Sequence, residues 1–182
     1  MMRTREEILT DLAITGARAG DQKSFRLLYQ QWNPTLCIYA VRLTQDSDAV
    51  SDIMQEAWIA MAKGLGRLEE VENFRPWAYR IVSNKCRDWI RSQQSRRRVA
   101  EEALGNQEDD EIWPSGDPVS RLRESLNRLE SNQRIILTLF YLEEMSIHEI
   151  GAALDVPDGT VKSRLYNARR TLKDVLEYRS NE

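Results

Sequence analysis

Apolar residues recur at three- and four-residue spacing along most of the 182-residue chain, the period of helices that bury one face. Period-two alternation bounded by hairpin turns, the mark of strands, is not sustained in either half. In the N-terminal half, Asp21 can cap a helix running to about Trp32. Asn33 followed by Pro34 reads as the cap and first position of a second helix through Leu43. Asp46 or Ser47 can start a third, in which Val50, Ile53, Met54, Ala57, Trp58 and Met61 form one stripe, ended by Gly64 and Gly66. A fourth begins around residues 74–77 and runs on through an arginine-rich stretch.

The C-terminal half is more sharply punctuated. Leu122, Leu126 and Leu129 form one helical stripe, and Ile135, Ile136, Leu139 and Leu142 a second. The run Ser146-Ile147-His148-Glu149 fits a capping box, with Ser146 taking the amide three residues on and Glu149 reaching back, so a short helix should extend through Leu154. Pro157 then has the fixed φ suited to the first position of a last helix, which reaches about Tyr178. The expected class is all-α.

Between the halves the composition changes. Residues 99–118 carry Glu101, Glu102, Glu108, Asp109, Asp110, Glu111 and Asp117 with no base among them, and Gly105, Pro114, Gly116 and Pro118 break helices. This reads as a flexible acidic linker between two small helical domains, 21–98 and 119–178, with 1–20 as an N-terminal extension. The net charge of −3 conceals strong segregation. Residues 75–98 hold Arg75, Arg80, Lys85, Arg87, Arg91, Arg96, Arg97 and Arg98 against the single acid Asp88, and such a block is an electrostatic footprint for nucleic acid.

Other chemistry is thinly represented. Cys37 and Cys86 lie far apart, which suits two reduced, buried thiols and neither a zinc site nor a disulfide framework. His148, the one histidine, has no partner pattern for metal binding or nucleophilic catalysis, so no enzyme, metal, cofactor or small-molecule substrate is expected. The first residues are charged rather than apolar and no run approaches the length of a membrane span, so a cytoplasmic location is expected.

Two helices parted by a three-residue break, the first short and capped, the second basic, match a helix-turn-helix unit whose second helix enters the major groove. On that helix Val161, Leu165, Ala168, Leu172 and Leu176 share a narrow face and should pack against Ile147, Ile150 and Leu154. The opposite face presents Gly159, Ser163, Tyr166, Asn167 and Arg170, with Lys162 and Lys173 at its margin, residue types that reach bases and phosphates. A merely solvated face is the plain alternative. In the fourth helix, aromatics interleave with arginines from Phe74 to Arg91, a surface suited to stacking on unpaired bases while cations follow the backbone. Here the plain alternative makes at least two of Trp77, Ile81 and Trp89 core residues.

The run Asp52-Ile53-Met54-Gln55-Glu56-Ala57-Trp58, the run Phe74-Arg75-Pro76-Trp77-Ala78-Tyr79-Arg80-Ile81-Val82-Ser83-Asn84, and Gly159-Thr160-Val161-Lys162-Ser163-Arg164-Leu165 with Ala168-Arg169-Arg170 resemble extracytoplasmic-function sigma factors of bacterial RNA polymerase. The resemblance implies sigma region 2 over 21–98, for core polymerase and the minus-10 element, and sigma region 4 over 119–178, for the minus-35 element. Asp52, Gln55 and Glu56 would dock on the core polymerase. Trp77, Arg80, Asn84, Arg87 and Arg91 would lie along the melted non-template strand, with a flipped base taken by the loop 64–73. Gly159, Thr160, Lys162, Ser163, Tyr166, Asn167 and Arg170 would read duplex at minus-35. The acidic linker would thread the positively charged RNA channel of the polymerase. An anti-sigma factor is the implied regulator. Ser51 stands where the family often has an acid, and Asn167 where a basic residue is common.

Two other readings fit parts of the pattern. A stand-alone helix-turn-helix transcriptional regulator would bind a paired operator without polymerase. A degenerate sigma-like adaptor would bind polymerase and start no transcription.

Overall fold

The computed structural model describes residues 5–104, 125–126 and 128–178. Every regular element among them is helical. The chain divides into two compact units, formed mainly by residues 1–86 and by 87–182.

In the first unit, helix α1 (Arg5–Arg18) packs on α2 (Gln22–Thr44), which packs on α3 (Ser47–Gly64). The extension ahead of residue 21 is thus largely helical, and Ala13 and Ile14 are buried. A Cβ on Gly16 would clash with Ser24, so the missing side chain lets α1 approach α2 closely. Thr10 accepts from Gln31 across the same contact, and Arg18 donates to the Glu69 carbonyl.

Asp21 caps α2 as the sequence indicates, taking the amides of Lys23 and Ser24 and the Ser24 hydroxyl. The predicted break at Asn33 and Pro34 does not occur, because α2 runs unbroken through both. Leu28 on one side of Pro34 and Leu36, Tyr39, Ala40 and Leu43 on the other are all buried. This continuous apolar face offsets the missing proline donor. Asn33 acts as an acceptor instead, for the Trp58 indole at 2.9 Å and the Cys37 thiol at 3.6 Å. Phe25 and Tyr29 pack on the Trp58 ring, with centroids 5.9 and 5.0 Å away.

Helix α3 buries the predicted stripe of Val50, Ile53, Met54, Ala57, Trp58 and Met61 behind an Asp46 cap. Two short 3-10 turns, Leu65–Arg67 and Val71–Asn73, lead to α4 (Phe74–Leu104). Phe74, Ala78, Tyr79, Val82 and Cys86 form its core face, and Tyr39 and Ser83 share a buried 2.6 Å hydrogen bond. Cys86 is the buried thiol expected; Cys37 is only partly buried. Helix α4 continues six residues past the expected linker boundary at 98, through Val99-Ala100-Glu101-Glu102-Ala103-Leu104, a run rich in helix formers. The rest of the expected linker, 105–118, lies outside the described residues, as does Leu122.

In the second unit, α5 (Ser131–Leu137) continues as a π-helical turn, Thr138–Leu142. Arg134 donates to the carbonyls of Leu126 and Leu129, and its partial burial lowers the guanidinium pKa. Leu142, expected on the apolar stripe, is 47% exposed. The π turn explains this: the Glu143 amide reaches back five residues to Thr138, which rotates the register, and Met145 fills the core in place of Leu142. Helix α6 (Ile147–Leu154) opens on the complete capping box of Ser146 and Glu149. Helix α7 (Asp158–Tyr178) follows, packed on α5 with a Gln133–Thr171 hydrogen bond of 3.1 Å. The Pro157 carbonyl accepts from Thr160 and Val161, so this proline flanks α7, one residue before the expected position.

Candidate nucleic-acid interface

The turn between α6 and α7 is built from Asp155, Val156 and Pro157. Asp155 closes α6 in the left-handed region with φ of 57°, and the Val156 amide bonds back to the Gly151 carbonyl at 3.0 Å. Gly151 is required here, since a Cβ would stand 2.9 Å from the Val156 carbonyl oxygen and 3.0 Å from Asp158 Oδ1. The two helices therefore meet nearly backbone to side chain. Val161, Leu165 and Ala168 are buried as expected, and Leu172 and Leu176 half-buried.

The outward face of α7 holds Gly159, Lys162, Ser163, Tyr166, Asn167 and Arg170, all exposed, with Thr160 half-buried at its edge. Tyr166 is 65% exposed, a large aromatic ring left in solvent among polar residues. Lys173 bridges to Glu177 at 3.4 Å. Arg169, beside Arg170 in sequence, turns aside to lie over Phe140 and Tyr141 at 5.1 and 5.4 Å, so it belongs to a different surface. His148 approaches Asp158 to 3.7 Å at the start of α7.

Along α4, Trp77, Arg80, Asn84, Arg87 and Arg91 are spaced by three, four, three and four residues. At about 100° per residue they occupy an arc of about 80°, and at about 1.5 Å per residue the row is about 21 Å long. This arc lies opposite Phe74, Ala78, Val82 and Cys86. Asn84 and Arg91 are exposed, while Trp77, Arg80 and Arg87 are half-buried. Trp77 packs on Phe74 and covers Gly64, so much of its ring belongs to the fold. Ile81 and Trp89 are likewise half-buried rather than core residues.

Asp52, Gln55 and Glu56 are exposed on the outer face of α3, and the sequence pattern omitted two features there. Ile59, off the apolar stripe and one turn on, is 48% exposed. Glu56 pairs with Lys85 of α4 at 2.8 Å, a contact between residues far apart in sequence that no local pattern could give. No cluster able to hold a metal ion occurs among the described residues.

A helix-turn-helix whose second helix exposes a polar face, together with a row bearing three arginines along a separate long helix, is an all-helical arrangement of the kind that contacts nucleic acid. The family model described as Sigma-70 region 2 matches residues 28–96, and that described as Sigma-70, region 4 matches 120–172. A probable RNA polymerase sigma factor RfaY of Xanthomonas campestris is 29% identical over 88% of this chain, which spans 42% of that protein's length. The ECF RNA polymerase sigma factor SigW of Bacillus subtilis is 26% identical over 93% of this chain and 98% of its own. The fold matches the sigma factor RpoE of Bartonella quintana, solved in complex with the anti-sigma factor NepR, with a TM-score of 0.65 at 23% identity, over 85% of this chain and 98% of that one. The chain belongs to the extracytoplasmic-function sigma factors, the promoter-recognising subunits of RNA polymerase.

Proposed function

We propose that this chain binds core RNA polymerase, carries it to promoters with minus-35 and minus-10 elements, and helps melt the DNA at the minus-10 element. The observation that carries this reading is the presence of both sigma regions, in order, on one chain. The stand-alone regulator accounts for the second match and leaves the first without a purpose.

Domain roles follow the boundaries read from sequence: 21–98 for core polymerase and minus-10, 99–118 as linker, its first six residues being the end of α4, and 119–178 for minus-35. In region 4, Lys162 and Arg170 take phosphates while Ser163, Tyr166 and Asn167 face base edges, and Gly159 and Thr160 bring the start of α7 close to the backbone. In region 2, the row of Trp77, Arg80, Asn84, Arg87 and Arg91 follows the non-template strand, with cations on phosphates and the exposed part of the Trp77 ring available for stacking. Asp52, Gln55 and Glu56 meet basic groups of the polymerase, where charge complementarity sets encounter rate and register. The chain supplies binding energy and performs no catalysis of its own. It works beside RNA polymerase in the cytoplasm. An anti-sigma factor is the proposed regulator, by analogy with the Bartonella complex.

Runoff transcription with bacterial core polymerase on a library of promoter fragments, at stated salt, tests the reading. New start sites that require the chain and weaken with Arg80→Ala or Lys162→Ala are expected. Tight core binding without new starts would leave an adaptor, and operator binding without core would leave the stand-alone regulator.

A further inference from the structure

His148, the chain's one histidine, stands in the first turn of α6, and the reading above gives it no task. Its side chain is 88% exposed, and its Nδ1 is 3.7 Å from Oδ1 of Asp158, the first residue of α7. Asp158 is turned toward α6, since the same Oδ1 would lie 3.0 Å from a Cβ on Gly151. On the α6 wheel His148 is about 60° from Gly151, so the ring flanks the seam between the two helices. Ala152, next on that side, is exposed and too small to cover it. In a helix-turn-helix the first helix crosses the phosphate backbone while the start of the second reaches the bases. A side chain exposed on α6 beside the first residue of α7 therefore stands where the backbone passes. The neighbouring charges sharpen this. Lys162, one turn beyond Asp158 on α7, is a cation already assigned to phosphate. Glu149 has its carboxylate occupied by the Ser146 amide and hydroxyl, at 2.9 and 2.8 Å. The other acids of the segment are Glu144, ahead of the cap, and Asp155, which closes α6 about 10 Å from His148. Asp158 is the acid beside the ring, and its carboxylate repels an arriving phosphate unless the ring carries a charge.

Resting on the reading above, we propose that His148 is a further contact to the minus-35 backbone, made by its protonated ring, which bridges the Asp158 carboxylate and a duplex phosphate. Both anions favour the charged ring, so binding draws a proton from solution. The contact is present at low pH and is lost as pH rises past the ordinary imidazole value of about 6.5. Deprotonation removes the cation and leaves Asp158 facing the phosphate, so minus-35 binding weakens on the alkaline side.

The test compares holoenzymes of the full-length parent and of His148→Gln, which keeps a hydrogen-bonding side chain without a titratable ring, on one duplex promoter fragment from the runoff library. Taking the ratio of the two affinities at each pH cancels the titration of the polymerase and of the DNA. The ratio is expected to favour the parent about two- to fivefold at about pH 6 and to approach unity at about pH 8.5. The slope of log affinity against log salt is expected to be shallower for the variant by about 0.9, the loss of one duplex phosphate contact, at the acidic end only. Asp158→Asn is expected to tighten binding more at about pH 8.5 than at about pH 6, because the neutral ring no longer offsets the carboxylate. An affinity ratio and a slope difference that do not change with pH overturn the proposal. That includes the case in which only the difference in Tm between the two chains changes with pH, as a purely structural His148–Asp158 pair requires. Failure of the parent holoenzyme to bind the fragment at any pH sinks the underlying reading instead.

Discussion

Gly151→Ala tests whether the helix-turn-helix is fixed by close approach at its turn. Gly151 lies inside α6, where replacing glycine by alanine ordinarily adds about 1 kcal/mol of helix stability. Here the new methyl would meet the Val156 carbonyl oxygen at 2.9 Å, Asp158 Oδ1 at 3.0 Å and Val161 Cγ2 at 3.8 Å. The Asp158 carboxylate can rotate away, at the expense of its approach to His148. The Val156 carbonyl cannot, because the Val156 amide is bonded to the Gly151 carbonyl and Asp155 is held in the left-handed region. The turn itself must shift, and overpacking of this kind costs about 1–3 kcal/mol. The net expectation is a loss of about 1 kcal/mol, a fall of about 4–8 °C in the Tm of a unit this size, with weakened minus-35 duplex binding as α7 is displaced. Gly159→Ala is the internal control, since a Cβ there meets nothing within 4 Å and leaves stability unchanged or improved. Thermal unfolding of the pair, with fluorescence anisotropy on a minus-35 duplex for Gly151→Ala, gives the answer. A Gly151→Ala chain as stable as the parent and binding duplex equally well would refute the argument.

Asn33→Leu removes the acceptor of the Trp58 indole, a ring only 6% exposed, and is expected to cost about 1–3 kcal/mol in urea unfolding. Asn33→Ser should be nearly as damaging, because serine could serve as a cap but is too short for the indole; a fully stable serine variant would restore the cap reading. Hydrogen bonds from the Ser24 hydroxyl, then from the Ser24 and Lys23 amides, hold the Asp21 carboxyl below its ordinary 3.8. A depressed carboxylate stabilises the fold above the unfolded-state value and loses that contribution as pH falls through the folded one. The stability difference between the parent and Asp21→Asn is therefore flat near neutrality and shrinks below about pH 4, and a pH-independent difference would count against the cap. Lys162→Ala should weaken duplex binding nearly uniformly across sequences and reduce the salt slope by about 1, whereas loss confined to one promoter sequence would make Lys162 a base reader.

Features that depend on residues three or four apart were legible in the sequence, and those that depend on distant residues were not. The capping box, the Asp21 and Asp46 caps, the α3 stripe and the inward face of α7 each follow from side chains that meet within a turn of helix. The break placed at Asn33 and Pro34 failed for the opposite reason. A local stop signal was outweighed by burial of Leu28, Leu36, Tyr39 and Leu43 along one face, and the asparagine found its partner 25 residues away on α3. Leu142 left its stripe because a π turn shifted the register by one residue, and a periodicity argument assumes a constant period. The candidate site divides along the same line. The exposed face of α7 could be read from spacing, whereas the α3 face of Asp52, Gln55 and Glu56 and the row from Trp77 to Arg91 came from the family resemblance. The Glu56–Lys85 pair could be read from neither, because it depends on how α3 and α4 are set side by side. The recognition face of a single helix is therefore written in the local spacing of residues, while contacts between helices need the fold.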